Sequence, residues 1–131
     1  MIAKRLLIVD DEADFAASVR RVAEKLGFDV KVTQDGRDFK QVYKGFAPTV
    51  VILDMIMPEV DGIELVEWLA SVGCTARIII ISGFTPIYAK NAVVLGEARG
   101  LLSISRLVKP VPLAVLTKTL ESAVQNSGAP L

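Results

Sequence analysis

Apolar residues in this chain gather into short runs, and each run ends against a polar side chain. Leu6-Leu7-Ile8-Val9 runs into Asp10 and Asp11, and Val50-Val51-Ile52-Leu53 into Asp54. Ile78-Ile79-Ile80-Ile81 runs into Ser82, and Leu107-Val108 into Lys109. Runs this short and this uniformly apolar read as strands covered on both faces, the habit of a parallel sheet. Between them the period changes to three and four residues. Phe15, Val19, Val22 and Leu26 mark a helix over about 13–26, which Gly27 closes. Leu65, Leu69 and Val72 mark another over about 61–72, and Leu113, Leu116, Leu120 and Val124 a last one over about 111–125.

The remaining elements follow from punctuation. A strand over about 28–33 alternates Val30 and Val32 with Asp29 and Lys31. Asp35-Gly36 turns the chain into a helix over about 37–45, which Pro48 bars from continuing. Pro86 suits the first turn of a helix over about 86–97, and a mixed strand over about 102–108 follows. The chain is therefore expected to be an α/β protein of five strand-then-helix units. Three strands (4–9, 50–54 and 78–81) are apolar enough to be central; the two interrupted by polar residues belong at the edges. With right-handed crossovers, the order 2-1-3-4-5 satisfies this, a flavodoxin-like doubly wound sheet. Its winding reverses between the first and third strands, where a crevice opens at the carboxyl ends.

Composition narrows the chemistry. With 131 residues and no internal repeat, the expectation is one domain over 1–125 and a frayed tail over 126–131, with no room for an output domain. Fifteen basic residues balance fifteen acidic ones, so nothing in the charge asks for nucleic acid or an anionic membrane. The one cysteine, Cys74, has no internal partner, which fits a reducing cytoplasm. No stretch approaches the ~20 apolar residues of a membrane span, and the first residues lack a signal-peptide layout. There is no histidine. Histidine-based triads, histidine-ligated zinc and a phosphohistidine on this chain are thereby excluded.

What remains is carboxylate chemistry. Asp10, Asp11 and Asp54 stand at the ends of adjacent strands. Two such charges 4 Å apart repel by about 4 kcal/mol at an effective dielectric of 20. A cluster of this kind persists by protonation, by a neighbouring cation or by binding a metal. Oxygen donors alone favour a hard ion, Mg²⁺ first, with Mn²⁺ or Ca²⁺ as alternatives. The bland reading is helix capping, since the acidic pair just precedes a helix. Asp54 can serve as a metal ligand or as a nucleophile that yields an acyl phosphate. Lys109 and the Ser82 hydroxyl would then offer positive partners to phosphoryl oxygens.

These residues, in this order on these strands, resemble the receiver domains of bacterial two-component response regulators. The matching elements are Asp10-Asp11, Asp54 followed by Met55-Ile56-Met57-Pro58-Glu59-Val60-Asp61-Gly62, then Ser82-Gly83, then Lys109-Pro110. The resemblance covers about residues 4–125. It implies that Asp54 is the phosphoacceptor, and that Asp10, Asp11, Asp54 and the Ile56 carbonyl bind Mg²⁺. Ser82 would move to meet the phosphoryl group, Lys109 would pair with it, and the bond before Pro110 would be cis. It implies a histidine kinase or phosphotransfer protein as donor, and a downstream effector or second copy met by the fourth helix, fifth strand and fifth helix. Such a module is not an enzyme; it is consumed as substrate and restored by slow self-hydrolysis.

Two features depart from the common pattern. Receivers usually carry a Tyr or Phe three residues before the lysine, where this chain has Arg106; Phe84 and Tyr88 are the nearby aromatic candidates for its role. The stretch from Ala89 to Lys109 is long, which is similar to receivers joined to cyclic-di-GMP phosphodiesterase domains of the EAL type. Three other readings stand beside the leading one. A Mg²⁺-dependent phosphohydrolase with an aspartyl intermediate would place its two aspartates one residue apart and add a cap segment. A flavin or nucleotide module would carry a glycine- or hydroxyl-rich phosphate loop where Asp10-Asp11-Glu12 stands. Against a degenerate receiver used only as a docking surface stand the intact Asp54, Lys109 and acidic pair, while Arg106 keeps that reading open.

Overall fold

The computed structural model describes residues 3–54, 62–83, 86–101 and 103–125, with the side chains of 86–89 left aside. In chain order the elements are β1 (Arg5–Val9), α1 (Ala13–Lys25), β2 (Asp29–Thr33), α2 (Gly36–Phe46), β3 (Val50–Asp54), α3 (Gly62–Ser71), β4 (Arg77–Ser82), α4 (Pro86–Ala98), β5 (Ile104–Val108) and α5 (Leu113–Gln125). The sheet is parallel throughout with order β2-β1-β3-β4-β5. The expected topology is thus the observed one. The elements start and stop within about two residues of their expected bounds.

Each central strand is buried along its length, as its composition demands: Leu6 to Val9, Val50 to Leu53 and Ile78 to Ile81 are at most 1% exposed. Because successive side chains point to opposite faces, one strand serves two cores. Leu6, Ile8, Val50, Ile52, Ile79 and Ile81 meet Val19 of α1 and Leu116 and Leu120 of α5. Leu7, Val9, Val51, Leu53, Ile78 and Ile80 meet Phe39 of α2, Leu65 and Leu69 of α3, and Ala92 of α4. Cys74 is buried in this second core. The edge strands are only partly covered, Asp29 and Lys31 on β2 and Arg106 and Val108 on β5 facing solvent.

Helix ends follow local chemistry. Gly27 has φ +90°, and the N–H of Phe28 reaches back to the Ala23 carbonyl at 3.0 Å, ending α1 in the left-handed turn that glycine favours. At the start of α2, the Asp35 carboxylate accepts from the Asp38 N–H at 2.9 Å. The end of α2 is less orthodox. Ala47 takes φ +50° with Pro48 directly after it, and its carbonyl accepts from the Arg5 guanidinium at 2.7 Å. A Cβ in that region is strained, whereas glycine is at ease. The tail over 126–131 lies outside the described residues.

Ala47 is exposed, so its conformation can be relieved without disturbing either core. Ala47→Gly is expected to stabilise the fold by up to about 1 kcal/mol, the relief of left-handed strain exceeding glycine's extra unfolded-state entropy. Urea denaturation checks this: the midpoint should rise with an unchanged slope.

Candidate functional site

Strand alternation decides which side of the sheet each end residue faces. Asp10 continues the series Leu6, Ile8, and Asp54 the series Val50, Ile52; both therefore incline toward α1 and α5. Lys109 does the same after Ser105 and Leu107, since Leu107 packs into that same core. Ser82 has the opposite parity, continuing Ile78 and Ile80 toward α3 and α4. Hydrogen bonds carry the ladder one residue beyond β1 and β5: the N–H of Asp10 donates to Thr33 O at 3.0 Å and that of Lys109 to Ser82 O at 2.7 Å. The bond between Lys109 and Pro110 is cis, as expected.

The grouping that results is tight. Lys109 Nζ donates to Glu12 Oε1 at 2.7 Å, and lies 3.5 Å from Asp54 Oδ2 and 4.0 Å from Asp10 Oδ2. Carboxylate oxygens of Asp10, Glu12 and Asp54 all lie within 4.8 Å of one another. Asp10 and Asp54 are each only 1% exposed, while the Glu12 side chain is 63% exposed. Asp10 Oδ1 accepts from the Glu12 backbone N–H at 2.8 Å; its Oδ2 has no hydrogen-bond partner among the described residues. The capping role expected of the acidic pair is not seen: the N-cap of α1 is Glu12, no side chain caps the helix, and only one oxygen of Asp10 is engaged, in a turn ahead of it. The other Asp10 oxygen remains available to a ligand.

These surroundings shift both charges. Burial pushes the Asp10 carboxyl up to about 7, opposed by the Glu12 N–H and the Lys109 charge and helped by the adjacent Asp54 carboxylate. For Lys109, burial acts downward, but the Glu12 hydrogen bond and the charges of Asp54, Asp10 and Glu12 outweigh it and raise the value. An open cavity of about 870 Å³ adjoins the cluster between α1 and α5, with Asp11, Glu12, Phe15, Gly83 and Lys109 among its walls.

Of the residues singled out from the sequence, Asp10, Asp54 and Lys109 come together. Asp11 is exposed at the cavity's edge, outside the group of three carboxylates. Ser82 is buried nearby with its Oγ lacking a hydrogen-bond partner among the described residues. Ile56, Phe84 and the side chain of Tyr88 lie outside the described residues. Glu12 is the residue that sequence reasoning passed over. Its only signal was its place, three residues past the end of β1 at the head of α1, where a side chain can turn back over the strand ends.

The response regulator receiver domain profile matches residues 6–121. The chemotaxis protein CheY of Bacillus subtilis is 35% identical over 82 residues, which cover 62% of this chain and 68% of CheY. The response regulator MprA of Mycolicibacterium vanbaalenii is 35% identical over 78 residues, 60% of this chain; the match spans only 34% of MprA. Among solved structures, the receiver domain of a Bermanella marisrubri response regulator superposes with a TM-score of 0.82 at 27% identity, covering 94% of this chain and 99% of that one. With the ordered sheet and the acidic pocket, these likenesses establish that the chain belongs to the response regulator receiver domains, the phosphoacceptor switches of two-component signalling.

Proposed function

We propose that Asp54 accepts the phosphoryl group, from a phosphohistidine on a partner histidine kinase or phosphotransfer protein, with Mg²⁺ held in the acidic cluster. The observation that carries this reading is the Lys109 ammonium, 3.5 Å from Asp54 Oδ2 within a group of three carboxylates at the strand ends. The cluster fits a hard cation on its own chemistry. Its donors are all carboxylate oxygens, and Asp10 Oδ2 is buried without a hydrogen-bond donor among the described residues. Asp10, Asp54 and Glu12 would hold the ion, with Asp11 at the rim and the Ile56 carbonyl as a further oxygen donor. Bound Mg²⁺ supplies positive charge to the phosphoryl oxygens and offsets their repulsion by the carboxylates.

The transfer itself asks little covalent work of the protein. An Asp54 oxygen attacks phosphorus, a P–O bond forms, and the P–N bond breaks with its electron pair left on the donor imidazole. Lys109 neutralises charge on the phosphoryl oxygens, and the Ser82 hydroxyl donates to one of them. Ser82 starts on the α4 side of the sheet, so its movement toward the phosphoryl group links the site to α4, β5 and α5. Val94, Val108 and Val115 are exposed on these elements and suit an effector or a second copy of the chain. Arg106 lies exposed on β5 opposite Ile80, sharing Ser82's face. An arginine there replaces an aromatic that could swing inward, so the switch in this chain works without that partner. The acyl phosphate decays by slow self-hydrolysis, which makes the module a regulator and not an enzyme. The reading includes no nucleic-acid or membrane partner and a cytoplasmic setting; among the described residues no helix is long and apolar enough to cross a membrane.

Incubation with acetyl phosphate, followed by intact mass, tests the reading. One phosphoryl adduct should appear with Mg²⁺, vanish with excess chelator and be missing in Asp54→Asn. Labelling that persists in Asp54→Asn would place the acceptor elsewhere. A second expectation concerns pH. An Asp10 carboxyl raised to about 7 must lose its proton to bind a metal. Calorimetry in buffers of differing ionisation enthalpy should find about one proton released per Mg²⁺ at pH 6 and almost none well above pH 8. The metal-free protein shows the converse. Its folded state holds the Asp10 proton more tightly than the unfolded chain, so this group's contribution is greatest below pH 4 and is lost as pH rises through 7. Asp10→Asn should remove that part of the slope.

A further inference from the structure

Beside its carboxylate partners, the Lys109 ammonium meets an uncharged ring, that of Phe15. Lys109 Nζ sits 4.4 Å from the centre of the Phe15 ring, well inside the ~6 Å reach of a cation–π contact. Phe15 lies in the first turn of α1, half-buried, with its body packed against the α1/α5 core. We propose that Phe15 is a positioning residue for phosphoryl transfer: its ring holds the Lys109 ammonium over the acceptor, against the pull of Glu12 toward solvent. The inference rests on the assignment of Asp54 as acceptor and Lys109 as the partner of the phosphoryl oxygens.

The contacts around Nζ explain why a ring is useful there. Among the described residues the shortest contact of the Lys109 ammonium, 2.7 Å, goes to Glu12, and that side chain is 63% exposed while Lys109 is 18% exposed. Left to the carboxylates alone, a long flexible ammonium would follow the exposed one outward, where water competes for it. Asp54 at 3.5 Å and Asp10 at 4.0 Å pull inward but are farther away. The ring face attracts the cation without taking up an N–H in a directed bond, so the donors remain available to Asp54 and to an arriving phosphoryl oxygen. It also covers one flank of the ammonium where the cavity opens, shared with Gly83 and Pro110. A preorganised cation is worth more to the transfer than one that must be gathered in during it.

The competing account is that Phe15 merely fills space at the head of α1. The two separate when the ring's electrons change and its shape does not. Phe15 can be replaced in the full chain by mono-, di- and trifluorophenylalanine, which progressively weaken the negative ring face at nearly constant volume. Phosphorylation by acetyl phosphate with Mg²⁺ should slow stepwise along the series, reaching roughly three- to ten-fold. Phe15→Trp should keep most of the rate, and Phe15→Leu should lose it to a similar extent. A readout that needs no phosphoryl transfer accompanies this: the Lys109 Hε resonances should lie upfield by ring current and move back in Phe15→Leu. Rates indifferent to fluorine, with Lys109 Hε at ordinary shifts, would overturn the proposal while leaving Asp54 as acceptor. A wild-type chain that takes no phosphoryl group would instead sink the acceptor assignment, and the proposed use of the ring with it.

Discussion

The site is organised by the need to keep two carboxylates buried side by side. Asp10 and Asp54 are almost completely removed from water at the ends of neighbouring strands. At an effective dielectric of 20, like charges 4 Å apart oppose each other by about 4 kcal/mol. The fold answers in two ways. One proton stays on Asp10 to higher pH than usual, and the ammonium of Lys109 is drawn into the same space from the end of β5. Both answers are provisional in a chemically useful sense. A divalent cation can displace the proton, and a phosphoryl group can claim the ammonium. On the proposed reading, the burial that costs this cluster stability would be offset by a bound cation.

Register turns that local constraint into a two-sided device. Since residues alternate along each strand, Asp10, Asp54 and Lys109 incline toward α1 and α5, while Ser82 and Arg106 share the face toward α3 and α4. The acidic cluster and the Ser82 side chain therefore incline to opposite sides of one sheet, and the proposed signalling surface of α4, β5 and α5 wraps around the sheet's β5 edge. The cluster and the serine meet only where the strands end. Ser82 stands at that border, adjacent to Lys109 through the backbone bond from its carbonyl to the Lys109 N–H at 2.7 Å. The proposed movement of the serine hydroxyl would cross from one face to the other, and packed cores transmit such a shift better than they absorb it.

Much of this was legible before any coordinates. Three uninterrupted apolar runs could only be central strands, and two mixed ones only edges, because a parallel sheet is covered on both faces and its edges are not. That logic produced the strand order, and the order placed Asp10, Asp54, Ser82 and Lys109 at one end of the sheet. Helix limits shifted by a residue or two where capping decided them, as at Ala47, whose left-handed turn no propensity rule would assign to alanine.

What the amino-acid order determined by itself was the set of strand ends and the chemistry assembled there, because period and hydrophobicity act over a few residues at a time. What only the tertiary structure decided was which neighbours complete the site. Asp11, adjacent to Asp10, faces outward beside the cavity, while Glu12 folds back to take a 2.7 Å bond with Lys109. Phe15 looks like one more member of an apolar helix face until α1 and the end of β5 are brought together, and its ring is found against the ammonium. These partners come from elements some 95 positions apart in the chain, such as Glu12 and Lys109 at a separation of 97. Local patterns carry no information over that distance; packing of α1 against the sheet does.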